Sequence, residues 1–143
     1  MANFQSAFEK LMLLEGEQSN HPKDRGGLTK YGISKTAYPH LDIQNLTQKQ
    51  AADLYQKDYW RPLALDLEES QAKAELIFQT AVNCGLAATK QFLSMVLPQL
   101  EKEESFLLQW KLLVILRYVS ITNRNPSQKI FLLGWLNRIL KNN

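Results

Sequence analysis

Residues 15–33 read E-G-E-Q-S-N-H-P-K-D-R-G-G-L-T-K-Y-G-I. An acid, Glu15, stands directly after an apolar run, and a second acid, Asp24, follows nine residues later. A lone hydroxyl, Thr29, comes five residues beyond that. Cutting a glycosidic bond needs one carboxylic acid to protonate the leaving oxygen and a second polar site to hold a water or stabilise the sugar ring. The segment has a layout that would serve this chemistry.

The two acids stand in different surroundings. Glu15 ends a run of apolar residues whose spacing is roughly that of a helix face, namely Phe8, Leu11, Met12 and Leu14. An apolar setting and the negative end of a helix dipole both favour a neutral carboxylic acid, which a general acid requires. Asp24 lies among His21, Lys23 and Arg25, a basic setting that favours the ionised form. Such a pair is typical of acid–base catalysis.

A plain structural interpretation fits the same residues. A glutamate at the end of a helix is usually a surface residue, and an aspartate before Arg-Gly-Gly usually makes an Asx-type turn. The three glycines, Gly26, Gly27 and Gly32, allow tight turns and positive φ, as a small hairpin requires. Spacing alone therefore leaves the catalytic and the structural interpretations open.

The segment resembles the catalytic segment of glycoside hydrolase family 108, the peptidoglycan-cleaving, lysozyme-like enzymes. Their pattern is roughly L-x-x-E-G-G-Y-x-N-x-P-x-D-x-G-G-x-T-x-x-G-I. The layout is also similar to the Glu…Asp…Thr triad of phage-type lysozymes, with the last gap one residue shorter. The residues that carry the resemblance are Leu14, Glu15, Gly16, Asn20, Pro22, Asp24, Gly26, Gly27, Thr29, Gly32 and Ile33. The resemblance implies that Glu15 is the general acid.

The resemblance continues along the chain. Residues 55–62 resemble the family's Y-x-x-x-Y-W segment, and residues 78–85 resemble its F-D-x-A-V-N-x-G helix. Residues 117–138 resemble the region that the family labels as a predicted peptidoglycan-binding segment.

Four positions depart from the pattern. Glu17 and Gln18 replace a glycine and an aromatic residue, His21 stands where an aspartate is common, and Gln79 replaces the aspartate of the F-D-x-A-V-N helix. None of these changes removes the general acid, so they bear on substrate preference and specific activity more than on reaction class.

We expect a mainly α (α+β) fold, a lysozyme-like helical domain with a small β-hairpin beside the cleft. Helices are predicted over residues 3–15, 47–59, 69–83, 87–97, 103–123 and 125–140, and a helical turn over 34–38. Thr47 and Gln50 form a capping-box pattern, and Pro62 is expected to end the helix that they open. Residues 106–121 are apolar nearly all round and predict a central core helix, too short and too charged to span a bilayer.

A single domain over residues 1–143 is predicted from the length. Residues 1–85 would hold the catalytic motifs, and 86–143 would form a C-terminal helical region packed in the same core.

Composition constrains the partners. The formal net charge is +3, which suits an anionic polymer such as a cell wall. Because no basic run is interleaved with aromatics, we expect no nucleic-acid partner. The single cysteine, Cys84, excludes an internal disulfide and is interpreted as a packing residue. No metal-ligand spacing occurs, so no metal or cofactor is expected.

Four further residues are candidate substrate contacts. Tyr31 and Trp60 could stack on sugar rings, although packing is the alternative for both. Asn83 lies in the middle of a predicted helix, where it would either line the cleft or make an interhelical hydrogen bond. Gln79 occupies the aspartate position of the resembled helix.

These observations predict a peptidoglycan glycan-strand hydrolase, an N-acetylmuramidase of the lysozyme type such as an endolysin. Glu15 would be the general acid, and Asp24 and Thr29 would position water in an inverting reaction. The alternatives are a non-catalytic peptidoglycan-binding or secretion-accessory protein, such as a secretion activator, and an adaptor that binds partners through its basic surface. We expect a monomer, made in the cytoplasm without a signal peptide and without stable membrane insertion. It would reach the periplasm or wall through a holin or secretion machinery.

Overall fold

The computed structural model describes residues 1–15, 18–19, 28–96 and 102–141, with the backbone alone at positions 15, 18 and 19. The chain divides into two compact units. The N-terminal unit is Asn3–Asp66, and the C-terminal unit comprises Met1–Ala2 and Leu67–Asn143. The division therefore falls at residue 66, and a single domain over the whole chain stays a prediction.

The first helix of the N-terminal unit, α1, spans Phe4–Glu15, as predicted. Asn3 Oδ1 accepts a hydrogen bond from the Ser6 amide at 2.9 Å, which is the geometry of an N-cap. Phe8 and Leu11 are buried on one face of the helix. The Phe4 ring meets the Trp60 ring edge-on at 5.5 Å, so this face forms an aromatic core with the end of the next helical segment.

Three two-residue strands follow: β1 (Gln18–Ser19), β2 (Thr29–Lys30) and β3 (Ile33–Ser34). They form an antiparallel sheet in the order β1-β2-β3. The two residues between β2 and β3 have positive φ, 53° at Tyr31 and 76° at Gly32, as a type I′ turn requires. The predicted hairpin and the positive φ of Gly32 are confirmed. Gly26 and Gly27 lie outside the described residues.

The second helix, α2 (Gln48–Tyr55), opens with the predicted capping box. Thr47 Oγ1 accepts from the Gln50 amide at 3.2 Å, and Gln50 Oε1 accepts from the Thr47 amide at 2.9 Å. Beyond Tyr55 the helix widens into a π-helical turn, Gln56–Trp60. The residues predicted to form a helical turn at 34–38 make one such bond, from the Tyr38 amide to the Ser34 carbonyl at 3.0 Å.

Pro62 does not end the helical path, contrary to the prediction. It lies in the first turn of a 3₁₀ helix, Arg61–Leu63, and a second one spans Leu65–Leu67. Proline is tolerated there because the first amides of a helix have no intrahelical partner.

The C-terminal unit consists of four helices: α3 (Gln71–Cys84), α4 (Leu86–Met95), α5 (Glu103–Arg124) and α6 (Lys129–Leu140). A 3₁₀ turn, Pro126–Gln128, precedes α6. Gly85 alone separates α3 from α4, with φ 83° and ψ 159°. That backbone region is essentially restricted to glycine, so Gly85 sets the corner between the two helices.

The core of this unit is centred on Trp110 of α5, which has no exposed surface. Its Nε1 donates to Thr80 Oγ1 at 2.9 Å, and Thr80 Oγ1 in turn donates to the Leu76 carbonyl at 2.8 Å. The rings of Phe92 and Phe106 lie 5.9 and 5.5 Å from the Trp110 ring. The buried indole is thus satisfied by α3 and enclosed by α4 and its own helix.

The prediction of a central core helix at residues 106–121 is wrong. Only one line of α5 is buried, made of Trp110, Val114, Tyr118 and Thr122 at intervals of four. Leu108 and Leu116 are each 64% exposed. Within the described residues, α5 is long and apolar enough to cross a bilayer by length and composition, which is weak evidence by itself. Its buried line packs against α3 and α6.

Candidate functional site

Glu15 is the last residue of α1. The buried residues of that helix include Phe8 and Leu11, and position 15 continues their spacing of about one helical turn. The last carbonyls of a helix carry partial negative charge, which favours the neutral form of a nearby carboxyl group. The predicted position of Glu15 at a helix end is therefore confirmed, and its role as an acid stays a prediction.

Asp24 and its neighbours His21, Lys23 and Arg25 lie outside the described residues. The second carboxylate of the predicted pair is therefore known from the sequence alone.

Thr29 lies in β2, the central strand of the sheet, and is half-buried. It pairs with Ser19 of β1 on one side and Ser34 of β3 on the other. Directly opposed residues of antiparallel strands project to the same face of a sheet. Thr29 and Ser34 therefore project to the same face of the sheet. Sequence reasoning singled out Thr29 and missed Ser34, which only the strand register aligns with it.

Tyr31 occupies the first turn position of the same hairpin. Left-handed backbone geometry is uncommon for a residue with a bulky side chain. Its carbonyl accepts a hydrogen bond from the Tyr55 hydroxyl at 3.0 Å, which ties the turn to α2. The Lys30 ammonium lies 5.5 Å from the centre of the Tyr31 ring. The half-buried ring keeps part of its surface accessible beside the Thr29 strand.

Trp60 has no exposed surface. Its Nε1 donates to Asp66 Oδ1 at 2.7 Å, and the Phe4 ring covers it edge-on. A ring that stacks on a sugar must present a face to solvent. The structure therefore corrects the sugar-stacking interpretation of Trp60, which is a packing residue of the N-terminal unit.

Gln79 of α3 is 4% exposed. Neither Oε1 nor Nε2 has a hydrogen-bond partner among the described residues. Leaving a buried amide unpaired costs about 1–3 kcal/mol for each group, so such a side chain is unusual in a core. Little of it is accessible, and its predicted contact with substrate stays a prediction.

Asn83 lies near the end of α3 and borders a cavity of about 150 Å³ between α3, α5 and α6. Its Oδ1 accepts a long hydrogen bond, 3.4 Å, from Arg138 Nη1. Asn83 therefore makes a hydrogen bond between α3 and α6, which is one of the two roles predicted for it; the other is lining the cleft. Other residues lining the same cavity are Cys84, Arg117, Tyr118 and Trp135.

Cys84 is not a candidate nucleophile. Burial raises the pKa of its thiol, and the thiol donates to Tyr118 Oη at 3.9 Å. Nucleophilic attack requires the thiolate. The interpretation of Cys84 as a packing residue agrees with this environment.

The site residues fall in both units. Glu15, Thr29, Tyr31 and Trp60 belong to the N-terminal unit, whereas Gln79 and Asn83 belong to the C-terminal unit. Within the ranges that the structure describes, no three His, Cys, Asp or Glu side chains come together as metal ligands. Thr29 and Tyr31 lie in the same hairpin. That all the predicted site residues line one cleft stays a prediction.

Comparison with known proteins places these features in context. The sequence profile described as glycosyl hydrolase 108 matches residues 8–85, which include Glu15, Thr29 and Asn83. The structure described as "Structure of Brucella abortus SagA" is similar to this chain, with a TM-score of 0.80 at 20% sequence identity. The match covers 97% of this chain and 90% of that one. A comparison with curated protein sequences finds no match. The mainly α, lysozyme-like fold class with its small sheet is confirmed.

Proposed function

Because this chain belongs to the glycosyl hydrolase 108 family, we propose that it cleaves peptidoglycan between N-acetylmuramic acid and N-acetylglucosamine. Membership in the family supports glycoside hydrolase activity, with peptidoglycan as the substrate. The observation that carries the proposal is the position of Glu15. It lies inside the matched residues, at the last position of α1, before a hairpin that holds Thr29.

In the proposed reaction Glu15 protonates the glycosidic oxygen as the bond to the leaving sugar breaks. This step requires a carboxylic acid that stays protonated near neutral pH. Two features support the assignment to Glu15. The end of α1 disfavours a negative charge, and the preceding helix face is apolar at Phe8 and Leu11.

Asp24 acts as the base in this proposal and Thr29 helps to hold the attacking water. A direct attack by water inverts the anomeric centre and needs carboxyl groups about 6.5–9.5 Å apart, because the water must fit between base and sugar. The central-strand position of Thr29 supports its part, since pairing on both sides fixes the backbone there.

We further propose that the protein acts as a monomer on the wall or in the periplasm. Export through a holin or a secretion machinery would bring it there. The net charge of +3 favours association with an anionic wall polymer.

Mass spectrometry of the products released from purified peptidoglycan tests the function. A muramidase leaves muropeptides with N-acetylmuramic acid at the reducing end. Products with N-acetylglucosamine at the reducing end would show a different bond specificity. Binding to the wall without any released sugar would show a non-catalytic wall-binding protein instead.

A further inference from the structure

Outside its buried line, α5 carries a second row of apolar residues. Leu108, Leu112, Leu116 and Val119 recur every three or four residues, so they share one face of the helix. All three leucines have more than half of their surface exposed, and Val119 is exposed as well. We call this row, which extends for about 16 Å along the helix, the leucine face. Apolar residues scattered singly over a surface are ordinary, whereas a continuous row marks a surface that binds a partner.

An open groove beside the leucine face adds apolar surface from the neighbouring helix. The groove lies between α4 and α5 and has a volume of about 360 Å³. Its lining includes Met95 of α4, which is exposed, and Leu113 and Leu116 of α5. Because Leu116 belongs to the leucine face and also borders the groove, the two surfaces are continuous.

Charge is distributed unequally along the chain. Residues 105–143, which include most of α5 and all of α6, contain six lysines and arginines and no aspartate or glutamate. The whole chain has 17 basic and 14 acidic residues, so residues 1–104 hold 11 basic and all 14 acidic ones. The formal net charge is therefore +6 after residue 104 and −3 before it. The six basic residues are Lys111, Arg117, Arg124, Lys129, Arg138 and Lys141.

The acids of α5 lie only in its first turn. They are Glu103 and Glu104, and Glu103 accepts a hydrogen bond from the hydroxyl of Ser70, the N-cap of α3. At the opposite end, Arg124 is the last residue of α5 and Lys129 is the first of α6, and both are exposed. Beyond its first turn, the helix that bears the leucine face therefore carries positive charge alone.

An aliphatic surface with basic surroundings matches the chemistry of an anionic lipid bilayer. Aliphatic side chains gain free energy by leaving water for hydrocarbon, and nearby lysines and arginines are attracted to anionic headgroups. A second copy of this chain would instead bring its own positively charged segment against the first. A glycan strand presents hydroxyl groups, to which leucine side chains cannot hydrogen-bond.

We propose that the leucine face docks the protein on the surface of an anionic membrane. The helix lies flat in the headgroup region and does not cross the bilayer, because Trp110 and Val114 of its buried line stay packed in the core. The association is peripheral and reversible. It adds a second attachment to the proposed action on the wall, and it does not depend on hydrolysis.

Sedimentation of the intact protein with vesicles tests the proposal. One set of vesicles contains phosphatidylglycerol mixed with phosphatidylcholine, and the other contains phosphatidylcholine alone. We expect the anionic vesicles to bind roughly tenfold more tightly or better, because several basic residues meet their headgroups. A failure to bind the anionic vesicles would overturn the proposal, and so would equal binding to both sets.

A pair of substitutions in the leucine face locates the contact. Leu108→Gln combined with Leu116→Gln replaces two exposed leucines by a good helix former, so the fold should be kept, as thermal unfolding would verify. We expect affinity for anionic vesicles to fall by roughly tenfold or more, because less hydrocarbon leaves water. The matched control is Leu13→Gln with Leu67→Gln, which changes two even more exposed leucines outside α5. An equal loss in both pairs would contradict the proposal.

A second pair of substitutions tests the contribution of charge. Arg124→Gln with Lys129→Gln should weaken binding to anionic vesicles severalfold and leave binding to neutral ones unchanged. The control is Lys49→Gln with Lys57→Gln, two exposed lysines of the N-terminal unit, which should bind like the wild type. Unchanged binding after the first pair of substitutions would overturn recognition of the membrane through its charge.

Light scattering without vesicles tests the alternative partner, a second copy of the chain. We expect a monomer. If the protein is instead a dimer that the Leu108→Gln and Leu116→Gln pair converts to a monomer, the leucine face is an interface between copies and the proposal fails. Vesicles contain no peptidoglycan, so each of these results is independent of the muropeptide analysis.

Discussion

A single proton at position 15 decides the proposed chemistry. Glu15→Gln keeps the shape of the side chain but has no proton to donate to the leaving oxygen. We expect turnover to fall by roughly 100-fold or more, which is the usual contribution of a positioned acid. The measurement is the rate of reducing-end release from purified peptidoglycan.

Glu9→Gln is the matched control for this substitution. Glu9 is an exposed carboxylate of the same helix, and its Oε1 accepts a hydrogen bond from the Gln5 amide at 2.9 Å. Its loss should leave turnover near that of the wild type. Wild-type rates from Glu15→Gln would remove Glu15 from the mechanism.

Asp24→Asn tests the second carboxylate. If Asp24 is the base, the amide cannot accept a proton from water and activity should fall severely. The loss should be smaller than for Glu15→Gln, because Thr29 can still hold the water. Asp53→Asn, at an exposed ion pair with Lys49, should have almost no effect.

The anomer formed first is a separate test of this mechanism. Proton NMR of fresh product would show it before mutarotation. An inverting reaction gives the α anomer from the β-linked substrate. A β product would rule out direct displacement by water, and a covalent or acetamido-assisted step would replace it.

Gly85 offers a stability test at one residue. A Cβ at this position meets no atom within 4 Å, so replacement by alanine strains the backbone alone. We expect Gly85→Ala to destabilise the fold by about 1–3 kcal/mol. Gly134→Ala, in the exposed middle of α6 with equally open space, should instead stabilise it by about 0.5–1 kcal/mol. Thermal unfolding followed by circular dichroism would show the opposite signs.

Residue roles that depend on tertiary contacts were the hardest to predict. The position of Glu15 at a helix end follows from the apolar spacing before it, and positive φ at Gly32 follows from the residue type. Trp60 could not be assigned in this way, because an aromatic residue at the end of a helix suits packing and sugar stacking equally. The contacts with Phe4 and Asp66 distinguish the two interpretations.

At the scale of elements, α5 shows that the periodicity of apolar residues does not determine how much of a helix is buried. Its residues are apolar on every side, so the sequence indicates that the whole helix is buried. How much of a helix is buried depends on how many other helices pack around it, and periodicity does not give that number. The predicted bounds of α5, 103–123, nevertheless agree with the observed Glu103–Arg124. The π-helical turn at Gln56–Trp60 was likewise not predicted, since the sequence pattern there suits an ordinary α-helix.

Helix α6 is expected to be essential for stability. Removing residues 126–143 would uncover Tyr118, which is buried, and would delete Trp135 and the buried Ile139. Each fully buried side chain of this kind contributes about 1.5–3 kcal/mol, whereas the whole stability of a domain is about 5–15 kcal/mol. The truncated protein should therefore lose its cooperative thermal transition.

Point substitutions in α6 separate packing from wall binding. Ile139→Ala should cost about 2–5 kcal/mol. The exposed Leu133→Ala should stay within about 0.5 kcal/mol of the wild type. A stable, active truncated protein that only binds walls less tightly would show that α6 is a detachable binding segment.

At the scale of the whole molecule, charge predicts how lysis responds to salt. With a net charge of +3, attraction to an anionic wall is weakened as the screening length falls from about 10 Å at 0.1 M to about 3 Å at 1 M salt. We expect the rate of wall-suspension clearing to fall severalfold over this range. Hydrolysis of a short, uncharged soluble glycan is the control and should change little. Equal sensitivity of both would place the effect in catalysis rather than in attraction.

The boundary between the two units was not visible in the sequence. The motifs predicted one domain, with a catalytic region over residues 1–85 and a helical region over 86–143 in the same core. The first compact unit ends at Asp66, and α3 belongs to the second because it packs with α4 and α5 around Trp110. A motif shows which residues the chain has in common with a family. A compact unit is set by which residues pack into the same core, so the two need not end at the same residue.

The amide of Ala2 donates to the carbonyl of Glu68 at 2.8 Å. The chain therefore enters residues 3–66 and leaves them at nearly the same point, as an inserted domain does in its host. A segment whose two ends lie close together can be replaced as a whole by another segment. The replacement needs only to have its own two ends equally close. The segment with Glu15 and Thr29 could thus be exchanged between related chains while the C-terminal unit keeps its own sequence.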